Sequence, residues 1–305
     1  MFAAIDVGSN TVRMLIGKVS KGLVLPVLYS RKITRLKGGQ TSAGLTHDAM
    51  QRTLAALQHF RSELLTFEVD ALTVVGTEAL RTAANVGQFI EQVRQLTGMS
   101  LNVLSGEEEA LCSARGVLSV VDPTPPNAVI VDIGGGSTEI VVTSGVDVLF
   151  SHSCPLGVVR LTEMEGERAD ELIGSNLQAL GMKLKERGLF DIVCRPSTCF
   201  VGTAGTITTL AAIDLGMVNY DWRQVNNYRL SASKIDHIYD RLAHMQVSER
   251  EQLPGMESGR GDLILPGLQV LNGLLEQFAK KELIISDFGL LEGLLLQMAA
   301  GAAIR

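Results

Sequence analysis

The sequence predicts a two-domain protein of mixed α/β class, and three observations carry that expectation. A strand–turn–strand unit occurs twice, as Ala4-Ile5-Asp6-Val7-Gly8-Ser9-Asn10-Thr11 and as Val131-Asp132-Ile133-Gly134-Gly135-Gly136-Ser137-Thr138. Around these units, short apolar strands alternate with segments of helical period, the pattern of α/β layering. Immediately before the second unit lies Asp122-Pro123-Thr124-Pro125-Pro126-Asn127, whose prolines cannot continue a helix and so mark a domain junction. At 305 residues with 46% hydrophobic composition, the chain is long enough for two buried cores.

Each unit predicts a hairpin with a turn stripped of bulky side chains, its second strand running over Val12–Val19 in one copy and Glu139–Thr143 in the other. Between the copies, helical spacing covers Thr46–Leu65 and Val86–Leu96, with a strand at Ala71–Val75. A helix is expected from Gly106 to about Val120, because Ser105 and Glu108 form a capping box. After the junction come a strand at Val129–Val131, a helical region Ala169–Arg187, and a strand at Cys199–Val201 that leads through a Gly-Thr turn into another helix. The last strand is Leu283–Ile285, and the helix after it is expected to return to the first domain.

Composition excludes several classes. A net charge of −6 argues against a nucleic-acid binder, which needs a broad basic face. The start, Met1-Phe2-Ala3-Ala4-Ile5-Asp6, lacks the basic head and apolar run of a secretory segment. The apolar tail from Leu290 to Ile304 is interrupted by Glu292 and Gln297 and is shorter than the roughly 20 residues of a membrane span, so it reads as a buried helix. Cys112, Cys154, Cys194 and Cys199 lack paired spacing and read as buried reduced thiols, which with the absent leader favours the cytoplasm.

The chemistry points to phosphate. Glycines let backbone N–H groups approach an anion with no Cβ in the way, so Gly8, Ser9 and Asn10, and Gly134, Gly135, Gly136, Ser137 and Thr138, form two candidate phosphate loops. Each has an aspartate at its mouth, Asp6 and Asp132, suited to holding magnesium or to bonding its own turn. A third turn, Gly202-Thr203-Ala204-Gly205-Thr206, opens a helix and offers either an anion site or a tight connection. Within Ser105-Gly106-Glu107-Glu108-Glu109, capping accounts for Glu107 and Glu108 but not for Glu109, a candidate base for activating water. Arg81 is suited to a charge-assisted bond with a phosphoryl oxygen. Arg31, Lys32, Arg35 and Lys37, at near-alternate positions, read as a solvated strand face or as an anion track along a strand.

This ordered series of motifs resembles the exopolyphosphatase and guanosine pentaphosphate phosphatase family, of the actin, heat-shock and sugar-kinase superfamily. The resemblance rests on DVGSNTVRMLIG from Asp6, GTEALRTAAN from Gly76, SGEEEA from Ser105, VDIGGGSTE from Val131, PLGVVRLTE from Pro155, GTAGTITTLA from Gly202 and PGLQVLNG from Pro266. It implies two actin-like (ribonuclease H-like) domains with an interdomain cleft, residues 1–123 plus 290–305 and residues 124–289, whose closure completes the site. It implies hydrolysis of the terminal phosphoanhydride of inorganic polyphosphate or guanosine pentaphosphate, with Mg2+ as cofactor and no nucleic acid or membrane partner. A homodimer is compatible with it.

By position within these motifs, Glu109 takes the role of base, with Arg81 and Glu139 also catalytic. Asp6, Asp132 and Glu139 are the expected metal ligands, and the glycine loops with Gly205 and Thr206 the phosphate ligands. Two features depart from the family pattern. Leu291 stands where the family usually has arginine, and the chain ends without the further helical domains of longer members, which favours short polyphosphate. The alternatives are a regulatory protein that binds polyphosphate or guanosine polyphosphates without turnover, and an ATP-dependent kinase of the same superfamily.

Overall fold

The computed structural model describes residues 1–164 and 166–301. In chain order the elements are β1 (Phe2–Val7), β2 (Thr11–Ser20), β3 (Leu23–Ile33), α1 (His47–Leu64), β4 (Ala71–Gly76), α2 (Glu78–Arg81), α3 (Val86–Thr97), β5 (Leu101–Val103) and α4 (Gly106–Leu118). They continue with β6 (Asn127–Ile133), β7 (Thr138–Ser144), β8 (Asp147–Cys154), α5 (Val158–Thr162), α6 (Gly166–Glu186), α7 (Phe190–Cys194), β9 (Cys199–Thr203), α8 (Ala204–Asp214) and α9 (Trp222–Val225). The chain finishes with β10 (Arg229–Ser231), α10 (Ala232–Ala243), α11 (Val247–Arg250), α12 (Ile264–Gln277), β11 (Glu282–Ile285) and α13 (Leu290–Ala299). These elements fall into two compact units, Met1–Ser119 with Gly289–Arg305, and Val120–Phe288.

The first unit is built on a five-stranded sheet of order β3-β2-β1-β4-β5. β1 pairs antiparallel with β2 and parallel with β4, so one edge is a meander and the other is reached by helical crossovers. The alternation in β1 places Ala3, Ile5 and Val7 with Val12, Met14 and Ile16 of β2 in a core that also takes Leu54, Leu57 and Phe60 of α1 and Phe89 and Val93 of α3. The remaining residues of β1 are buried too, and α13 packs on β1 and β2. Covering both faces explains why these strands read as continuous apolar runs.

The second unit repeats the plan in a six-stranded sheet of order β10-β11-β9-β6-β7-β8. Here β6 pairs antiparallel with β7 and parallel with β9, as β1 does with β2 and β4. Val129, Val131 and Ile133 of β6 join Ile140 and Val142 of β7 in a core closed by Leu177, Leu180 and Leu184 of α6 and Leu268, Leu271 and Leu274 of α12. Both units therefore have actin-like strand order, each with its glycine turn between its first two strands.

Two readings of the sequence are corrected. The basic series does not follow one strand: β3 ends at Ile33, Arg35 adopts a positive φ of 49°, and Lys37 lies in the turn beyond. Of the four thiols only Cys112 and Cys154 are buried, where desolvation pushes each up to about 11, while Cys194 and Cys199 are half-buried. The expected tail helix is present over Leu290–Ala299, and residues 302–305 lie outside the described residues. Among the described residues no helix is long and apolar enough to cross a membrane.

Helix α4, which carries Glu109, is seated against α13 by direct backbone contact. A Cβ added at Gly116 would stand 1.8 Å from the carbonyl oxygen of Gly289, and one added at Gly293 would stand 1.8 Å from that of Cys112. Neither helix can retreat without breaking the core that Leu294 and Leu295 fill, because interiors are close-packed. Gly116→Ala and Gly293→Ala are each expected to destabilise the protein by about 3 kcal/mol or more, the upper range for overpacking, read as a lowered midpoint in urea unfolding.

Candidate active site

In the first unit the turn after β1 is closed by the Gly8 N–H, which donates to the Thr11 carbonyl at 3.0 Å. The loop carbonyls are also held down: Ser9 O accepts from Lys37 N at 2.9 Å, and Asn10 O accepts from Thr34 N at 3.0 Å and Arg35 N at 2.9 Å. A trans peptide points its N–H away from its C=O, so the amides after these carbonyls, those of Asn10 and Thr11, face the other way. The second unit uses the same device. Gly134 N donates to Ser137 O at 2.9 Å, while Gly134 O and Gly135 O accept from Val158 N and Val159 N at 3.0 Å each. The amides of Gly135 and Gly136 are thereby turned away from α5, as an anion-binding loop requires.

Gly157, within the PLGVVRLTE motif, supports this second loop. A Cβ there would lie 2.1 Å from the carbonyl carbon of Gly136 and 2.4 Å from the oxygen of Gly135. Thr138 is fully buried and its hydroxyl donates to Leu156 O at 2.7 Å, so its side chain is not available to a ligand. Ser137 Oγ donates to Glu139 Oε1 at 2.5 Å, and Ser153 Oγ, on β8 directly opposite Glu139, donates to the same oxygen at 2.8 Å. The reading of residues missed Ser153, whose only sequence signal is its place in an alternating strand.

The acidic and basic groups of the first unit are paired. Asp6 is 1% exposed; its Oδ2 accepts from Arg13 Nε at 3.0 Å and Nη2 at 2.5 Å. Its Oδ1 is buried without a hydrogen-bond partner. Glu109 stands one residue beyond the capping box of Ser105 and Glu108, whose reciprocal bonds measure 2.8 and 3.2 Å. Arg81 Nη1 reaches Glu109 Oε2 at 2.5 Å and the Leu104 carbonyl at 3.0 Å, so the expected base and the expected phosphoryl ligand meet as an ion pair.

The third turn is shaped by an unexpected partner. Arg260 lies over Gly205, where a Cβ would fall 2.0 Å from its Nη1, and its Nε donates to Glu257. Ala204 has a φ of 68°, a left-handed conformation costly for a residue with a Cβ. Thr206 is buried, with its side chain against Gly267 in the packing of α8 on α12, so it offers a ligand only its backbone. Leu291 is 3% exposed and fills the core with Leu294 and Leu295; this position supplies packing rather than charge.

The arrangement is matched by known proteins. Residues 15–301 match the Ppx/GppA phosphatase family. The chain belongs to that family. Exopolyphosphatase 2 of Mycobacterium tuberculosis is 32% identical over 314 residues, covering 97% of this chain and 98% of that protein. Among solved structures, the Aquifex aeolicus Ppx/GppA family member is 31% identical with a TM-score of 0.82, covering 98% of this chain and 97% of the other. An exopolyphosphatase from Cytophaga hutchinsonii, at 24% identity, shares the fold with a TM-score of 0.85 over 99% of this chain and 98% of its own. As a Ppx/GppA phosphatase the protein is a hydrolase.

Because Gly157 leaves no room beneath the second loop, Gly157→Ala must shift Gly135 and Gly136. Misplacement on the order of 1 Å costs about a hundredfold in rate. A loss of that size in kcat/KM, with an unchanged far-UV circular dichroism spectrum, is the expected outcome.

Proposed function

We propose that the protein releases the terminal phosphate of inorganic polyphosphate, of guanosine pentaphosphate, or of both, by attack of water on the terminal phosphorus. The observation that carries this reading is the Arg81–Glu109 pair. A carboxylate fixed at 2.5 Å from a guanidinium, at the start of a capped helix, is a preset base beside a cation suited to phosphoryl oxygens. Glu109 takes a proton from water as its oxygen bonds to phosphorus. Arg81 and the amides of the Gly8–Asn10 and Gly134–Ser137 loops hold the phosphoryl oxygens, and the bond to the bridging oxygen breaks. The products are inorganic phosphate and a chain one phosphate shorter. Positioning and electrostatics supply most of the rate in such transfers.

The residues suit a magnesium ion. Among the described residues no three carboxylate, histidine or cysteine side chains group into a protein cage. Magnesium is usually held by one or two carboxylates, water and substrate phosphates, and the orphaned Oδ1 of Asp6 is a hard oxygen of the right kind. Asp6, Asp132 and Glu139 are the proposed donors, one or two of them serving at a time with water and substrate phosphates completing the shell. The bound ion would neutralise charge on the phosphoanhydride.

Phosphate release from tripolyphosphate, long-chain polyphosphate and guanosine pentaphosphate tests the reading. Glu109→Gln is expected to lower kcat by about 10²–10⁴-fold, the span of general base catalysis, while calorimetry shows substrate still bound. Chelation is expected to abolish release and added magnesium to restore it. Unchanged turnover in Glu109→Gln removes that residue from the role, and binding without release by the wild-type protein makes it a regulatory binder.

A further inference from the structure

The first glycine loop carries a set of side chains that the hydrolytic scheme leaves unused. Gly38 N donates to Arg35 O at 2.9 Å, folding the chain back after β3, and the Lys37 backbone is pinned to Ser9 O. Thr77 N donates to Val7 O at 3.4 Å, which sets Glu78, the first residue of α2, beside the same loop. One carboxylate oxygen of Glu78 accepts from Ser9 Oγ at 3.0 Å, and the other pairs with the Lys37 ammonium. The Lys37 and Glu78 side chains are 32% and 27% exposed, so solvent reaches both.

A hydroxyl and an ammonium converging on two oxygens of one anion is the donor set of a phosphate site. Here a carboxylate of the chain itself occupies it. Resting on the hydrolase reading, we propose that Glu78 is a built-in competitor for phosphate at the first glycine loop. The incoming phosphate group takes Ser9 and Lys37 by displacing the Glu78 carboxylate, which makes Lys37 a phosphate-contacting residue and Glu78 a positioning residue. An enzyme that removes one phosphate per cycle must also release it each time. Binding substrate and product more tightly without favouring the transition state brings no gain in kcat, so a resident anion that weakens the site favours turnover.

The plainer account is an ion pair that closes a turn, and the two accounts differ in sign. Breaking a structural pair from either side disturbs the loop in the same direction. Removing a competitor tightens anion binding, whereas removing the donor weakens it.

Titration calorimetry with inorganic phosphate, which needs no turnover, reads this directly in the full-length protein. Glu78→Gln keeps the shape and an acceptor for Ser9, and its phosphate Kd is expected to fall about tenfold, while Lys37→Met raises it about tenfold. The KM for tripolyphosphate is expected to move with each Kd. Shifts in the same direction, or an unchanged Kd in either variant, overturn the proposal. Should Glu78→Gln fail to fold, Glu78→Ala takes its place with the same expected fall in Kd, because only opposed shifts from the two sides separate a competitor from a structural pair. Failure of the hydrolase reading is separate: it appears as a wild-type protein that releases no phosphate from tripolyphosphate or guanosine pentaphosphate, whatever the variants do to phosphate binding.

Discussion

Both glycine loops hang on one short hydrogen bond, from a glycine N–H to the carbonyl three residues on, at 3.0 Å for Gly8 and 2.9 Å for Gly134. The bond turns the chain within four residues and lets the preceding aspartate sit at the end of a central strand. The two turns agree in detail, for a Cβ on either glycine would lie 3.1 Å from the same acceptor oxygen. A side chain there would open the turn, move the aspartate and tilt the amides. What differs is the brace below. The first loop leans on the irregular turn Thr34–Lys37, the second on the N-terminus of α5, with Gly157 allowing contact between backbones.

Rigidity is spent unevenly among the candidate residues of each unit. Asp6 and Thr138 are immobilised by burial, whereas Glu109, Arg81, Glu78 and Lys37 keep between a fifth and a third of their side-chain surface in water. That division suits phosphoryl transfer. The backbone geometry must be fixed before substrate arrives, while charged groups must exchange one partner for another as negative charge builds on the bridging oxygen of the departing chain.

Much of this was legible in the sequence because the signals were local. The duplicated hairpins, the capping box ahead of Glu109 and the proline stretch each depend on residues within a few positions of one another, and the ordered motifs pointed to the family. What escaped notice depends on distant partners. Gly157 matters only because residues 21 and 22 positions earlier pack against it, Ser153 only because β8 pairs with β7 in register, and Arg260 only because a loop after α11 passes over α8. The basic series was misread for a related reason. Its spacing suggested a strand, but Arg35 leaves the extended region and the chain turns back to brace the loop. Thr206 looked like a ligand in its motif, yet its side chain is consumed by helix packing against Gly267.

The path of the chain through the first unit has a consequence for how the protein is made. Its sheet and helix α4 come from Met1–Ser119, but α13, which presses on α4 and on β1, is supplied only after the whole of Val120–Phe288. Leu290, Leu291, Leu294 and Leu295 are all buried there, and at about 1.5–3 kcal/mol per leucine their burial rivals the net stability of a typical domain. A ribosome that has just released residue 119 has therefore delivered a sheet with one face bare and a helix whose glycine groove is vacant. The second unit is contiguous and can close as it emerges, so the segment that reaches water first is the one that finishes folding last.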